Sequence, residues 1–330
     1  MPGAPEIPVP STLPQPTVQS PELLPQPTAP VRIGNGSEAV WVSSRRWAGD
    51  RGLPEPRSVS TTPALTQAIA TGKGEFIFQA GSLSAYWDGI EVRLGFAPQL
   101  VGSDVFLHVL DVRKTLESLM RGALLPSASN RLIVIDPGHG GKNLGTRSVA
   151  DGRVEKEFTL DWALRLAPLL EQRGWRVLLT RTNDVDVSLA ERVAFAEDNR
   201  ADFFLSLHFN ASGNGSREPA GLETYVTTPV GMPSSLTRGY RDDTLQTLPG
   251  NASDAENIAY AMRLHRALLT VNGNNDRGVR HARFLDVLRG QRQPAVLVEG
   301  GYLSNPHEAQ LIGLPAYRQR LAEAVAKALE

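Results

Sequence analysis

Residues 131–330 show a regular pattern of hydrophobic and polar positions. Short apolar runs typical of buried strands are separated by longer segments in which apolar residues recur at helical spacing. The predicted strands are RLIVID, WRVLLTR, DFFLSLH, GLETYVTT and PAVLVEG, and the predicted helices are EFTLDWALRLAPLLEQRG, VSLAERVAFAEDNR, SDAENIAYAMRLHRALLTVN and LPAYRQRLAEAVAKAL. This alternation predicts an α/β fold, a three-layer αβα domain with a largely parallel sheet. In such sheets, ligands bind beyond the carboxyl ends of the strands.

The chain that precedes this domain has a different pattern. Residues 32–122 contain short β-rich runs broken by Gly, Asp and Pro, and one helical run, DVRKTLESLM, closes them. The pattern predicts a small β-rich accessory domain, and breakers in residues 123–130 predict a linker after it. Residues 1–31 are rich in Pro, Ser, Thr and Gln, which predicts an extended, disordered tether. A docking ligand for another domain is the alternative for that segment.

Residues 228–252 have no clear period and contain many residues that break helices and strands. A loop of this length inside a compact domain is usually functional or disordered. The segment is therefore expected to be either a mobile surface insertion or a wall of a substrate groove.

Composition narrows the classes of partner. A hydrophobic content of 41% and a charged content of 21% are ordinary for a soluble globular protein. The net charge of -1 gives no reason to expect nucleic acid or an anionic membrane surface as a partner. No stretch approaches the roughly 18 apolar residues of a membrane-spanning helix. The chain has no cysteine, so any metal must be held by His, Asp or Glu.

Two histidines and two glutamates have distinctive local settings. His139 lies in IVIDPGHGG, Glu155 in DGRVEKEFTL, His208 in FFLSLHFNAS and Glu299 in AVLVEGGYLSN. Three of the four follow apolar runs, where parallel strands would deliver them to one edge of the sheet. Two imidazoles and one carboxylate are the ligand set of a catalytic zinc, and the remaining carboxylate is the natural general base. The set predicts a zinc hydrolase.

Two acidic residues compete for the position of the third ligand. Glu155 opens the first long helix and Glu157 follows two residues later, so their side chains point to different sides of the helix. Acidic residues in a first turn often only complement the helix dipole. Two histidines alone make an incomplete zinc site. We therefore expect one of these glutamates to complete it, with Glu155 as the choice and Glu157 as the alternative.

Several ordered motifs in the second half of the chain resemble those of the zinc-dependent N-acetylmuramoyl-L-alanine amidases of bacterial cell walls. The resemblance covers about residues 130–328 and includes TRTNDVDVSLAERVAFAEDNRADFFLSLHFNA, GLETYV, DRGVR and EGGYLSN. It implies that His139, Glu155 and His208 bind zinc and that Glu299 is catalytic. The long segment 228–252 departs from the usual pattern, as does Phe209 within SLHFNA. That segment puts substrate access in doubt and leaves the chemistry unaffected.

The reaction implied by this resemblance is hydrolysis of the amide between the lactyl group of N-acetylmuramic acid and L-alanine in peptidoglycan. One zinc ion would polarise the carbonyl group and acidify a water molecule. Glu299 would then take the proton and pass it to the leaving amine. Asn210 and Arg277 are further candidates for substrate binding, because an arginine suits a stem-peptide carboxylate. An ordinary surface arginine is the alternative for Arg277.

The same resemblance implies a location and partners. Peptidoglycan lies outside the cytoplasmic membrane, so the protein is expected to be exported to the periplasm or cell envelope. The first residues, MPGAPEIPVP, lack the basic start and apolar core of a signal peptide, and the leader is expected to have been removed. Peptidoglycan is the expected partner, and an activator protein is left open as a second one.

Part of the β-rich region resembles the copper-amine-oxidase N-terminal-like domain of bacterial envelope proteins. The matching portion is FIFQAGSLSAYWDGIEVRLGFAPQLVGSDVFLHVLDVRKTLESL. The resemblance implies two hairpins followed by a strand that runs into a helix, and it implies no copper. His108, His265, His281 and His307 are each expected to be structural or exposed rather than catalytic.

Three rival interpretations remain open. Another zinc hydrolase, such as an exopeptidase, would usually contain a carboxylate-bridged metal pair or an H-E-x-x-H helix, and the chain has no H-E-x-x-H. A wall-binding module with a dead site would have lost Glu299 or a ligand, whereas all four residues are present. The third is an enzyme held inactive because residues 228–252 or the β-rich domain cover the zinc.

Overall fold

The computed structural model describes residues 40–126, 131–273 and 275–330, apart from the side chain of Asn272. The predicted tether, the start of the predicted accessory domain and residues 127–130 of the predicted linker lie outside these ranges. Within them, no helix combines the length and the apolar character needed to cross a membrane.

Residues 40–126 form short strands followed by a helical segment. The elements are β1 (Trp41–Ser43), α1 (Ser44–Gly49), β2 (Arg57–Ser60), β3 (Thr66–Thr71), β4 (Gly74–Gln79), β5 (Ser84–Trp87), β6 (Ile90–Arg93), β7 (Gln99–Val101), β8 (Asp104–His108), α2 (Val109–Asp111), a π-helical turn (Val112–Leu116) and α3 (Glu117–Arg121). The predicted β-rich region is confirmed. The sequence pattern does not predict β2 or β3, because the polar and alanine-rich runs RSVS and TQAIAT have low strand propensity.

Residues 131–330 alternate strands with helices, as the pattern predicts. The elements are β9 (Leu132–Pro137), α4 (Glu155–Glu171), β10 (Arg176–Leu179), α5 (Leu189–Asp198), β11 (Phe203–Asn210), β12 (Leu222–Thr227), a 3-10 turn (Pro249–Ser253), α6 (Asp254–Asn272), β13 (Asp276–Ala282), α7 (Asp286–Arg289), β14 (Ala295–Tyr302), α8 (Pro306–Gly313) and α9 (Pro315–Ala328). The pattern does not predict β13, since DRGVRHA contains glycine and charged residues that disfavour a strand. Strands β11 and β14 also continue past their predicted ends at His208 and Gly300.

The sheet formed by β9 to β14 is largely parallel, as predicted. Its strand order is β10-β9-β11-β14-β12-β13. Neighbouring strands are parallel except for β12 and β14, which run antiparallel. The carboxyl ends of β9, β11 and β14 therefore lie side by side at one edge of the sheet.

Helices cover both faces of this sheet, which confirms the three layers. Successive strand residues point to opposite faces. Ile133 and Ile135 pack into the core formed with α4, α6 and α9, whereas Leu132 and Val134 pack into the core formed with α5 and α7. On β11 and β14, His208 and Glu299 share the period of Phe204 and Leu297, which belong to the α5/α7 core. The two functional candidates therefore project on the α5/α7 side.

Strands β2 to β6 continue the same sheet, whereas β1, β8 and β7 form a separate three-stranded sheet. Strand β6 pairs with β13 at Val92 and Val279, and β2 to β6 follow as an antiparallel meander. The carboxylate of Asp276 accepts a hydrogen bond from the backbone N–H of Glu91 at 2.7 Å and contacts His265 Nε2 at 2.9 Å. From residue 40 onward, the described chain belongs to one compact unit. The domain boundary at residues 123–130 stays a prediction. Strand β6, which precedes these residues, pairs with β13, which follows them, so the sheet runs across the predicted boundary.

Candidate active site

Three of the predicted residues converge on one point. The Oε1 atom of Glu155 lies 3.0 Å from Nε2 of His139 and 3.0 Å from Nδ1 of His208. The potential ligand atoms all lie within 4.8 Å of one another. Each side chain can direct one lone pair at a shared cation, which is the arrangement a metal requires.

The structure distinguishes the two competing glutamates. Glu155 is the first residue of α4 and is buried. Its Oε1 also accepts a hydrogen bond from the N–H of Phe209, and its Oε2 accepts one from the N–H of Thr146. Glu157 points away and forms an ion pair with Arg153 at 3.0 Å. The helix therefore brings Glu155, and not Glu157, to the histidines.

His139 is held in an unusual backbone conformation. It follows β9, and its φ of 64° lies in the left-handed region that non-glycine residues rarely adopt. Strain of this kind persists where surrounding contacts enforce it, often at functional sites. The Nδ1 atom lies 2.9 Å from Oδ1 of Asn143. An amide oxygen can only accept, so Nδ1 is the donor in this contact, and Nε2, which faces Glu155, is the atom that a neutral ring would offer to a metal.

Two glycines make room for the cluster. A Cβ atom on Gly138 would lie 2.2 Å from Cε1 of His208. A Cβ atom on Gly145 would lie 2.6 Å from Oε2 of Glu155 and 2.7 Å from Cδ2 of His139. Gly145 also has a φ of 67°. Any side chain at these positions would displace a candidate ligand.

The electrostatics of the cluster suit a bound cation. Burial by itself would raise the pKa of the Glu155 carboxyl. The hydrogen bonds and positive charges of His139 and His208 outweigh that effect and hold the pKa well below its usual range. Glu155 is thus a buried carboxylate with no arginine or lysine ion-pair partner among the described residues. Two imidazoles, a buried carboxylate and close-packed glycines together fit the donor set of a metal such as zinc.

Glu299 lies beside this cluster on the neighbouring strand. It is the register partner of His208 in the parallel pair of β11 and β14. Its Oε2 atom is buried and has no hydrogen-bond partner within the described ranges. Burial raises the pKa of Glu299 well above its usual value, and the negative charges of Glu155 and Glu223 raise it further. A carboxyl group with these properties is suited to exchange protons with a bound reactant.

The two candidates for substrate binding, Asn210 and Arg277, both donate hydrogen bonds to Glu223, which is not a candidate from the sequence. Glu223 is buried on β12 and accepts hydrogen bonds from Asn210 Nδ2 at 2.6 Å and Arg277 Nε at 2.8 Å. The Tyr225 hydroxyl donates a third at 2.8 Å. Arg277 also lies over the ring of Tyr302. The guanidinium of Arg277 is therefore already paired with Glu223. The only sequence signal for Glu223 is its position as a charged residue inside the apolar run GLETYV.

Two buried arginines fix the loop that carries His139. Arg192 forms an ion pair with Asp136, and its NH2 donates to the carbonyl oxygen of His139 at 2.7 Å. Arg181 NH2 donates to the carbonyl oxygen of Gly138 at 2.9 Å. Burial lowers the pKa of Arg181 to about 10, and the charge of Arg192 adds to that effect. Neither arginine is a candidate from the sequence, although both lie within TRTNDVDVSLAER, which belongs to one of the motifs quoted above.

A cleft of about 410 Å³ opens next to the two histidines. Its lining combines the candidate site with the start of α5, and includes Asn143, Asp186, Val187, Leu189, Glu191 and Arg192. Leu189 and Val185 at this end of the molecule are exposed. The cluster is therefore open to a ligand from the α5 side.

The segment 228–252 is tied to the fold by Arg283. This fully buried side chain donates to Oδ1 of Asp242 at 2.7 Å and to the carbonyl oxygens of Pro229 and Met232 at 2.7 and 2.8 Å. Asp242 Oδ2 accepts a further hydrogen bond from the N–H of Ser234 at 2.7 Å. These hydrogen bonds attach the segment to the fold, and its role as a wall of a substrate groove stays a prediction.

The other histidines do not join the metal cluster. His108 stacks on Phe96, with ring centroids 3.6 Å apart, and burial lowers its pKa to about 4. His265 is buried between Thr224 and Asp276, His281 is buried, and His307 is exposed. These positions agree with the expectation that all four are structural or exposed.

Comparisons with known proteins agree on the second part of the chain. The model of the Amidase_3 family, N-acetylmuramoyl-L-alanine amidase, matches residues 133–330. The amidase CwlM of Bacillus licheniformis is 37% identical over 199 residues, which cover 60% of this chain and 66% of CwlM. The sporulation-specific N-acetylmuramoyl-L-alanine amidase of Bacillus subtilis is 34% identical over 200 residues and is covered to the same extent.

Solved structures give the same result for the fold. The amidase AmiC2 of Nostoc punctiforme superimposes with a TM-score of 0.50 at 32% identity, over 60% of this chain and 94% of that one. An amidase of Clostridium difficile superimposes with the same TM-score at 30% identity, over 61% and 95%. The chain spans less than two thirds of the length of the curated relatives described above. The family match begins at residue 133, so the resemblance of the β-rich region to the copper-amine-oxidase N-terminal-like domain stays a prediction.

Proposed function

The chain belongs to the Amidase_3 family of N-acetylmuramoyl-L-alanine amidases, and we propose that it is a zinc-dependent hydrolase of the amide bond between N-acetylmuramic acid and L-alanine in peptidoglycan. The observation that carries the proposal is the convergence of His139 Nε2 and His208 Nδ1 on Glu155 Oε1, at 3.0 Å each. On the next strand lies the carboxyl group of Glu299, whose Oε2 has no hydrogen-bond partner among the residues that the structure describes.

His139, Glu155 and His208 would hold the zinc ion. When bound, such an ion supplies Lewis-acid polarisation of the scissile carbonyl group and lowers the pKa of an attacking water. The hydrogen bond between Asn143 and Nδ1 of His139 fixes the orientation of the ring, so that Nε2 faces Glu155. Arg192 holds the carbonyl oxygen of His139, which keeps the ligand loop in place.

Glu299 would act as the general base and then as the general acid. Its Oε2 accepts the proton of the attacking water and passes it to the nitrogen of L-alanine as the amide bond breaks. Its raised pKa favours the second transfer, because a carboxyl of raised pKa holds the proton until the amine leaves. Asn210 would line the site, and Arg277 would contribute by holding Glu223 in place.

The substrate also implies where the protein works. Peptidoglycan lies outside the cytoplasmic membrane, so we propose that the chain acts in the periplasm or cell envelope, in cell-wall remodelling or cell separation as an autolysin. The related amidases named above carry the same activity in their names. An activator protein is a further partner in this proposal, because loop 228–252 borders the site.

The test measures bound zinc and the release of dye from labelled peptidoglycan. The wild type is expected to bind one zinc ion and to release dye. Glu299→Ala is expected to keep the zinc and to lose activity by about 100-fold or more. Glu155→Gln is expected to lose the zinc, whereas Glu157→Gln, two residues away on the same helix, keeps it. A wild type that binds no zinc would refute the proposal, and zinc with no activity in the wild type would favour occlusion or a missing activator.

A further inference from the structure

The segment 228–252 carries an arginine to the edge of the candidate site. The carbonyl oxygen of Thr237 accepts a hydrogen bond from the N–H of Tyr240 at 2.8 Å, which closes a tight turn around Arg238 and Gly239. Both central residues have positive φ values, 44° and 79°. Positive φ at both central positions defines a type I′ turn, in which an arginine is unusual. The turn places Arg238 at a fixed point of an anchored loop.

The guanidinium of Arg238 is oriented toward the site. It lies over the ring of Phe284 at 5.4 Å and its NH2 reaches Oδ1 of Asn210 at 3.5 Å. Asn210 lies two residues after the candidate ligand His208 on β11, and its Nδ2 donates a hydrogen bond to Glu223, the register partner of Glu299. The positive charge of Arg238 also acts on Glu299, where it opposes the rise in pKa caused by burial.

Arg238 differs in its pairing from the other arginines near this point. The other arginines near this point, Arg277 and Arg280, lie 2.8 and 3.6 Å from Glu223. Among the described residues, no carboxylate forms an ion pair with Arg238, and its side chain is exposed. An oriented guanidinium with unused N–H donors is suited to bind a planar anion such as a carboxylate.

We propose that Arg238 determines specificity by binding a carboxylate of the stem peptide, on the side of the scissile bond that leaves as the amine. This inference rests on the proposed function. It assigns carboxylate recognition to a residue on the long insertion, because Arg277 is already ion-paired with Glu223 through Nε. The charged group that fits is the free α-carboxylate of the second stem residue, a D-glutamate linked through its γ-carboxyl in peptidoglycan, because it lies a few bonds from the scissile amide.

Binding of the released peptide tests this without any need for turnover. The probes are L-alanyl-γ-D-glutamyl-L-lysine with a free α-carboxyl on the glutamate and the same peptide with an α-carboxamide there. Their affinities for the full chain are measured by calorimetry in buffer with added zinc. The wild type is expected to bind the acid about tenfold more tightly, because the amide lacks the charge-assisted hydrogen bonds.

Variants in the same loop complete the design. Arg238→Ala is expected to bind acid and amide equally, at the affinity of the wild type for the amide. Arg238→Lys is expected to retain part of the preference, because a lysine keeps the charge but not the fork of donors. Arg241→Ala, an exposed arginine three residues further on, is the matched control and is expected to keep the full preference.

Two results would overturn the inference. One is a wild type that does not discriminate between the peptides, including one that binds neither. The other is an Arg238→Ala protein that still prefers the acid. Failure of the proposed function is a separate result, since it appears as a wild type that binds no zinc.

Discussion

Glu223 and Glu299 lie opposite each other on the antiparallel strands β12 and β14. Glu223 is satisfied by Asn210, Tyr225 and Arg277, whereas Oε2 of Glu299 has no hydrogen-bond partner in the described part of the chain. A carboxylate that is fully paired stays charged, and its charge discourages ionisation of the one beside it. One member of this pair is thus fixed as an anion and the other is left able to exchange a proton.

Glu223→Gln should therefore shift the pH dependence of activity. The substitution removes a negative charge that raises the pKa of Glu299, so that pKa should fall. The acid limb of the kcat/KM profile reports the ionisation of the base and should move to lower pH, while zinc content stays unchanged. The profile is measured by dye release between pH 4 and 9. An acid limb at the wild-type position would show that Glu223 has only a structural role.

Gly138→Ala should weaken the zinc site by displacing His208. The new Cβ would lie 2.2 Å from the imidazole, and Gly138 lacks a positive φ, so strain of its own backbone does not contribute. We expect zinc affinity to fall about tenfold to a hundredfold, the range typical when a ligand loses its support. Competition with a chelator measures this. Gly213→Ala, where a Cβ meets nothing within 4 Å, is the control and should bind zinc as the wild type does.

Arg192→Leu should destabilise the fold strongly. The side chain is buried and pairs with Asp136, so its removal leaves a buried carboxylate without its ion-pair partner, at a cost of about 3–5 kcal/mol. Arg292 forms an ion pair with Glu197 at the surface, and Arg292→Leu is the matched control. This variant should lower the free energy of unfolding by less than about 1 kcal/mol. Urea unfolding measures both free energies. Similar losses for the two variants would contradict the role assigned to the buried pair.

His281 should make the protein less stable in acid. Burial, together with the charge of Arg283, lowers the pKa of His281 in the folded chain to about 4 from its ordinary value of about 6.5. Between these values the unfolded chain binds the extra proton, so the free energy of unfolding falls as the pH is lowered. The loss from this residue reaches about 3 kcal/mol near pH 4.

The change His281→Gln isolates this effect. The variant should lose less stability than the wild type between pH 7 and pH 4, as measured by urea unfolding at each pH. Asp111 acts in the opposite direction, because burial raises its pKa to about 7, and it contributes equally to both proteins. The exposed His307, changed to Gln, serves as the control. Parallel stability curves for wild type and His281→Gln would refute the prediction.

Local sequence determined much of the site. His139, His208 and Glu299 follow apolar runs, so periodicity alone predicts that parallel strands bring these three residues to one edge of the sheet. The same periodicity predicts the three layers, because each strand alternates between two cores. The resemblance to a family of amidases supplied the roles, which stay predictions for these residues. Local signals suffice here because each residue stands at the end of an element that its own neighbours define.

The tertiary structure decided what depends on contacts between distant segments. Only the fold showed that Glu155 rather than Glu157 reaches the histidines. It also showed that β6 pairs with β13 and that Glu223 accepts hydrogen bonds from Asn210 and Arg277. The segment 228–252 has no period, so its own residues do not say where Arg238 lies. That position follows from Arg283, a buried residue far along the chain that holds the loop. Pairings of this kind leave no local pattern, because the free energy that selects them is gained only when the segments meet in the folded molecule.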